Sequence, residues 1–189
     1  MSTPPNQLKR ELDTILLNLG IVFEALDPEA FHDFVIRIRE AQHIFLAGMG
    51  RSGHIARCFA VRLTQLGKVC YVVFEATSPA VRNGDLLLIC SGSGTTGTMI
   101  TIARKAKQAG ATLAVITGNP LSPLGQMADH RLCLPPVLPP GTNDQQILQP
   151  LQTLFEQALL LSLDAMTLSL MKIMNVDEET MRARHSDLE

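Results

Sequence analysis

FLAGMGRSGHIA, Phe45 to Ala56, decides how this chain is read. An apolar run leads into Gly48, Gly50 and Gly53, spaced G-x-G-x-x-G, and a helical pattern follows from Ser52 to Leu66. A strand that turns through glycines into a helix presents the free N–H groups of the helix start to an anion. In dinucleotide-binding proteins this turn grips a pyrophosphate. Here Arg51 and Ser52 stand between the last two glycines, a cation and a hydroxyl that equally suit a smaller phosphate. On this stretch alone both readings stay open.

The hydrophobic period changes on either side of His43. Upstream, helical spacing predicts one helix from Gln7 to Leu26 and a second from Pro28 to Ala41, with Asp27 as N-cap and Pro28 at its first position. Downstream, HIFLA, KVCYVVF, DLLLIC, ATLAVIT and HRLCL are short apolar runs bounded by Gly, Pro, Asn or Asp, and read as five strands. Runs apolar on both faces belong in a buried parallel sheet, and helical patterns follow three of them, at Ser52–Leu66, Thr96–Ala109 and Ser122–Ala128. EATSPAVRNG, between the second and third strands, holds little helix. After the proline-rich PPVLPPGTND comes the longest helical stretch, Gln146 to Met174, then a polar tail, MRARHSDLE, with the character of a frayed end. The expected fold is therefore α/β, a three-layer α/β/α arrangement around a five-stranded parallel sheet. One domain is expected over residues 1–189, extended by N-terminal helices at 7–41 and a C-terminal helix and tail at 146–189.

SGSGTT, Ser91 to Thr96, repeats the logic of the first loop directly after DLLLIC. In a doubly wound sheet of order 2-1-3-4-5, the loops after strands 1 and 3 flank the ligand crevice. Two anion-seeking loops at one crevice suit a compact phosphorylated ligand. The dinucleotide alternative finds its acidic partner in Glu75, 22 residues after Gly53. A Walker P-loop is excluded, since no G-K-[S/T] closes either loop.

Composition removes other classes. A net charge of -2 over 189 residues gives no basic field for nucleic acid. The four cysteines, Cys58, Cys70, Cys90 and Cys133, form no C-x-x-C pair and are expected to be free and buried. No leader-like apolar segment opens the chain and no run reaches the ~18 uncharged apolar residues of a membrane span, so a cytoplasmic protein without a membrane partner is expected. His32, His43 and His130 lack the spacing of a metal site, and His54, near the first loop, is secondary.

SGSGTT fits the S-x-S-G-x-T phosphate loop of the sugar isomerase (SIS) domains. With GMGRSGHIARCFAVRLTQLG, EATSPAVRNGDLLLICSGSGTT, LFEQALLLSLDA and the closing RHSDLE, the chain resembles the 6-phospho-3-hexuloisomerase family over most of its length beyond residue 45. In Pro150-Leu151-Gln152-Thr153, where members commonly read P-M-G-T, it departs at Leu151 and Gln152, which bears on the fine shape of the pocket. The resemblance implies a flavodoxin-like SIS fold that interconverts D-arabino-hex-3-ulose 6-phosphate and fructose 6-phosphate, within the ribulose monophosphate route of formaldehyde fixation. It also assigns roles: Glu156 as base, His185 as proton shuttle or enediolate donor, and Gly50, Ser52, Ser91, Ser93 and Thr96 as the hold on phosphate, with Arg51 placed to reach phosphate or a sugar hydroxyl. Glu156 alone would read as part of a polar stripe on its helix, with Gln149, Gln152 and Thr153. An enediolate route needs no metal or organic cofactor. The long C-terminal helix is apolar round most of its circumference, which together with the family predicts a homodimer or homotetramer with sites near subunit interfaces. The rival readings are a noncatalytic phosphosugar-sensing module and a nicotinamide-dependent enzyme.

Overall fold

The computed structural model describes residues 5–135 and 149–187. Alternation along the first strand, β1 (His43–Gly48), sets the layers: Ile44 and Leu46 join one buried cluster, Phe45 and Ala47 the other. β2 (Val69–Val72), β3 (Leu86–Cys90), β4 (Thr112–Thr117) and β5 (His130–Cys133) complete a sheet of order β2-β1-β3-β4-β5, parallel at every pairing. This is the expected sheet. β1 runs one residue past HIFLA, and the other four strands are one to three residues shorter than their apolar runs; KVCYVVF shrinks most, because the chain turns at Val73 and Phe74, where Phe74 has φ 80°.

Helices divide between the two faces by which cluster they fill. α1 (Pro5–Glu24), α2 (Pro28–Glu40), α3 (Gly50–Gln65), α6 (Thr153–Met174) and α7 (Glu178–Ala183) contribute to the cluster around Ile44, Leu46 and Leu88. α4 (Gly97–Gln108) and α5 (Pro123–Met127) fill the other with Met99, Ala103 and Leu124. The β2–β3 connection adds Val81 there and carries no helix, as its composition predicts. Phe34 and Phe155 are fully buried, and truncating either to alanine would cost about 3–5 kcal/mol.

Several boundaries move, each for a local reason. Asp27 does cap α2, accepting hydrogen bonds from the N–H groups of Glu29 and Ala30. α3 starts at Gly50 with Met49 at the cap, so Ser52 lies inside the first turn and is not the N-cap that its residue type also allows. The long C-terminal helix begins at Thr153: Gln149 to Gln152 are outside it, with Leu151 at φ 57°, and Gln146 to Leu148 lie outside the described residues, as does the proline-rich loop after Pro135. The polar tail is partly ordered, contrary to the frayed end expected of it. Asp177 caps α7 through the Thr180 N–H, Met181 is buried, and the Arg184 guanidinium donates to the Gln65 carbonyl at 3.2 Å. Leu188 and Glu189 lie outside the described residues.

The cysteines are all free, but only Cys90 is fully buried and Cys58 is exposed. Ala56, Phe59, Ala60 and Leu63 form the buried stripe of α3, and a 3.6-residue period turns Cys58 away from it. α6 is long and apolar enough to cross a membrane by length and composition alone, yet half of that window is buried within the fold against α1, α2 and α3.

Candidate active site

Parallel register brings the two glycine loops together. Gly48 of β1 pairs with Cys90 of β3, so GMGRSG and SGSGTT leave the sheet at the same level and side by side. The first loop is held by contact between glycines. A Cβ on Gly53 would lie 2.5 Å from the Gly48 carbonyl oxygen, which only glycine at both places relieves, while Gly50 takes φ 57° to turn the chain into α3. The second loop is braced from β4: the Ser91 N–H donates to the Ile116 carbonyl at 3.0 Å, and the Gly118 N–H to the Gly92 carbonyl at 2.9 Å.

Four helices start at this edge, and the three whose starts line the space between the loops have no side-chain cap. Met49 before α3, Thr96 before α4 and Gln152 before α6 make no capping hydrogen bond, whereas α2, α5 and α7 are capped by Asp27, Ser122 and Asp177. Uncapped starts leave backbone N–H groups and the positive ends of three helix dipoles facing one space. That space is a cavity of about 190 Å³ lined by Gly50, Arg51, Ser52, Ser91, Ser93 and Thr96, with Gln152 and Glu156 from α6. All the phosphate-loop residues expected from sequence thus meet the expected base in one place.

Glu156 is 9% exposed in the first turn of α6 and, among the described residues, is the one carboxylate that lines the cavity. Its Oε2 forms an ion pair with Arg51 Nε at 2.6 Å. Gln152, one turn before it, lies over the second loop: a Cβ on Gly92 would fall 2.0 Å from Gln152 Oε1 and 2.9 Å from the Phe155 ring. The spacing of 152 and 156 already placed these two side chains on one stripe; Gln149, expected beside them, lies before α6 and lines a different cavity with α1. Gly92 of the second loop lines the site too, as do Cys90 and Met49, which no residue-type signal indicated. Burial pushes the Cys90 thiol up to about 12, so it stays neutral and is no nucleophile.

His185 is not brought here by its own chain. It is exposed and lines a cavity of about 520 Å³ with Arg62, Gln65, Asp164 and Leu168, at the opposite end of α3. Thirteen residues of helix separate Ser52 from Gln65, about 20 Å at 1.5 Å per residue. His54 is exposed on α3 and absent from the cavity lining; His43 and His130 pair with Asp85 and Asp33 at the opposite edge of the sheet. Glu75, the acid on which a dinucleotide reading depends, pairs with Arg57 at 3.1 Å and does not line the cavity. Among the described residues no three His, Cys, Asp or Glu side chains converge as metal ligands.

A doubly wound sheet with paired glycine–hydroxyl loops at its carboxyl edge, closed over by a C-terminal helix, is the architecture of a sugar isomerase domain. The SIS domain family model matches residues 37–166, from within α2 to within α6, and the chain belongs to that family. Among its relatives, the 3-hexulose-6-phosphate isomerase of Mycobacterium gastri is 36% identical, the match covering 94% of this chain and 92% of that one. The enzyme of the same name from Bacillus subtilis is 41% identical over 80% of this chain and 83% of its own. A Methanococcus jannaschii protein, whose crystal structure was reported to infer the function of a 3-hexulose-6-phosphate isomerase, superposes with a TM-score of 0.83 at 34% identity, covering 95% of this chain and 99% of that one. These relatives place the chain among enzymes of the isomerase class.

Proposed function

We propose that this chain interconverts D-arabino-hex-3-ulose 6-phosphate and fructose 6-phosphate through a 2,3-enediol. The observation that carries the reading is the convergence of three uncapped helix starts on a cavity that Glu156 lines with its carboxylate. The phosphate occupies the starts of α3 and α4, held by backbone N–H groups and the hydroxyls of Ser52, Ser91, Ser93 and Thr96. Glu156 takes the proton from C2 and the C2–H electron pair becomes the C2=C3 double bond, leaving the charge on O3; the O2 hydroxyl proton passes to O3, and the same carboxyl group returns its proton to C3 as O2 becomes the carbonyl oxygen. The Gln152 amide lies where it can donate to the enediolate. A buried carboxylate opposite the phosphate loops favours an enzyme over a sensor, which needs only the loops.

His185 enters this scheme from a neighbouring subunit, as donor or proton shuttle. Support comes from its separation from its own chain's cavity, together with exposed Leu161 and Leu168 on one face of α6, suited to a second copy. The enzyme acts as one SIS unit over its whole length, as a homodimer or homotetramer in the cytoplasm, without a metal or organic cofactor. The deciding experiment is a coupled assay that follows fructose 6-phosphate formed from the 3-ketose. Turnover with kcat above about 1 s⁻¹, in the ordinary range for enzymes, is expected. Absence of turnover, with fructose 6-phosphate still bound, would leave a sensor.

A further inference from the structure

The position of Arg51 carries a consequence for how the base is controlled. It lies in the first turn of α3, where the dipole's positive end disfavours a cation, and no acidic residue shares that turn. Its guanidinium finds its balancing charge across the cavity on Glu156, at 2.6 Å. The guanidinium side chain is 66% exposed and the carboxylate 12%, so the arginine is the partner free to move. The same residue lines the cavity beside Ser52, Ser91 and Ser93, within the space in which a phosphate would lie.

We propose that Arg51 is a positioning residue that makes Glu156 answer to phosphate: it occupies the carboxylate when the phosphate site is empty and transfers to the phosphate when that site fills. A carboxylate oxygen engaged by a guanidinium is not presented to a substrate C–H, and a dianion attracts Arg51 more strongly than a single carboxylate does. Binding energy at the nonreacting end of the substrate is thereby used to release the base at the reacting end. The inference rests on the isomerase reading above.

The test uses a pent-3-ulose, which keeps the C2–C3 reacting centre, lacks C6 and its phosphate, and cannot close a five-membered ring, with phosphite dianion supplied separately. In the full-length enzyme, saturating phosphite is expected to raise kcat/KM for this truncated ketose by about 100-fold. Ser93→Ala should raise the half-saturating phosphite concentration and keep most of the maximum stimulation. Arg51→Gln should reduce the maximum itself to a few-fold, however much phosphite is added, with Arg51→Lys between the two. An Arg51→Gln enzyme that only needs more phosphite, as Ser93→Ala does, overturns the proposal and makes Arg51 a simple phosphate ligand. So does a wild-type enzyme that isomerises the 3-ketose 6-phosphate yet shows no phosphite stimulation on the truncated one. Absence of turnover on the 3-ketose 6-phosphate itself overturns the isomerase reading, and this inference with it.

Discussion

Glu156 combines constraints that rarely coincide in one side chain. Its neighbours Phe155, Ala158 and Leu159 are fully buried, so the backbone that carries it is fixed by core packing. A charge at 9% exposure needs compensation, and it has two sources: the Arg51 guanidinium at 2.6 Å and the start of α6, in whose first turn it lies. Glutamine keeps the shape of this side chain and removes the proton acceptor. Glu156→Gln is therefore expected to retain its fold and to lose about 10²–10⁴-fold in kcat, the usual worth of a general base. Circular dichroism and the coupled assay together check it; a soluble, folded variant with near wild-type kcat would take Glu156 out of the mechanism.

At the scale of elements, the contrast between capped and uncapped helices separates structure from function. Ser122 and Asp177 satisfy the starts of α5 and α7, helices that do not line the cavity, while α3, α4 and α6 leave theirs open. Asp177 illustrates what a cap does to pH dependence. Hydrogen bonding with the Thr180 side chain first, and with the Thr180 N–H second, lowers its carboxyl from the ordinary 3.8. A carboxyl depressed in the folded state stabilises above its unfolded value and loses that contribution as pH falls through the folded one. Asp177→Asn should accordingly melt below wild type at pH 7, and the difference in Tm should shrink as pH drops from about 5 toward 3. A difference independent of pH would assign the cap to shape alone. α7 also marks a limit of the sequence. Met181 is its one buried side chain, so EETMRA carries no hydrophobic period, and its docking depends on Arg184 reaching Gln65 across the fold. The strands and both loops were legible for the opposite reason: buried parallel strands are apolar on both faces, and the glycines at 48, 50 and 53 answer to local backbone geometry. Glu156, by contrast, was legible only through its resemblance to a family, since Phe155-Glu156 on a Leu-rich helix reads equally as a polar stripe.

At the scale of the whole molecule, the question is how a histidine about 20 Å along α3 from the phosphate loops could serve them. No single side chain spans that distance, so a catalytic His185 requires a second copy. The exposed α6 leucines, Leu161 at 44% and Leu168 at 61%, lie on the helix that also supplies Glu156, and Leu168 shares its cavity with His185. A partner packed on that face would cover both features at once. Two inactive variants give the test: Glu156→Gln, with an intact histidine, and His185→Ala, with an intact glutamate. Each alone should fall well below wild type. Unfolded together, mixed in equal amounts and refolded, they should regain about 25% of wild-type kcat, because a site that draws Glu156 from one subunit and His185 from another is complete in one random pairing out of four. That fraction is the same for a dimer and a tetramer, so light scattering on the refolded mixture supplies the subunit number. If both residues acted from one chain, every site in the mixture would carry one defect, and refolding would recover nothing beyond the activity of the two variants assayed apart.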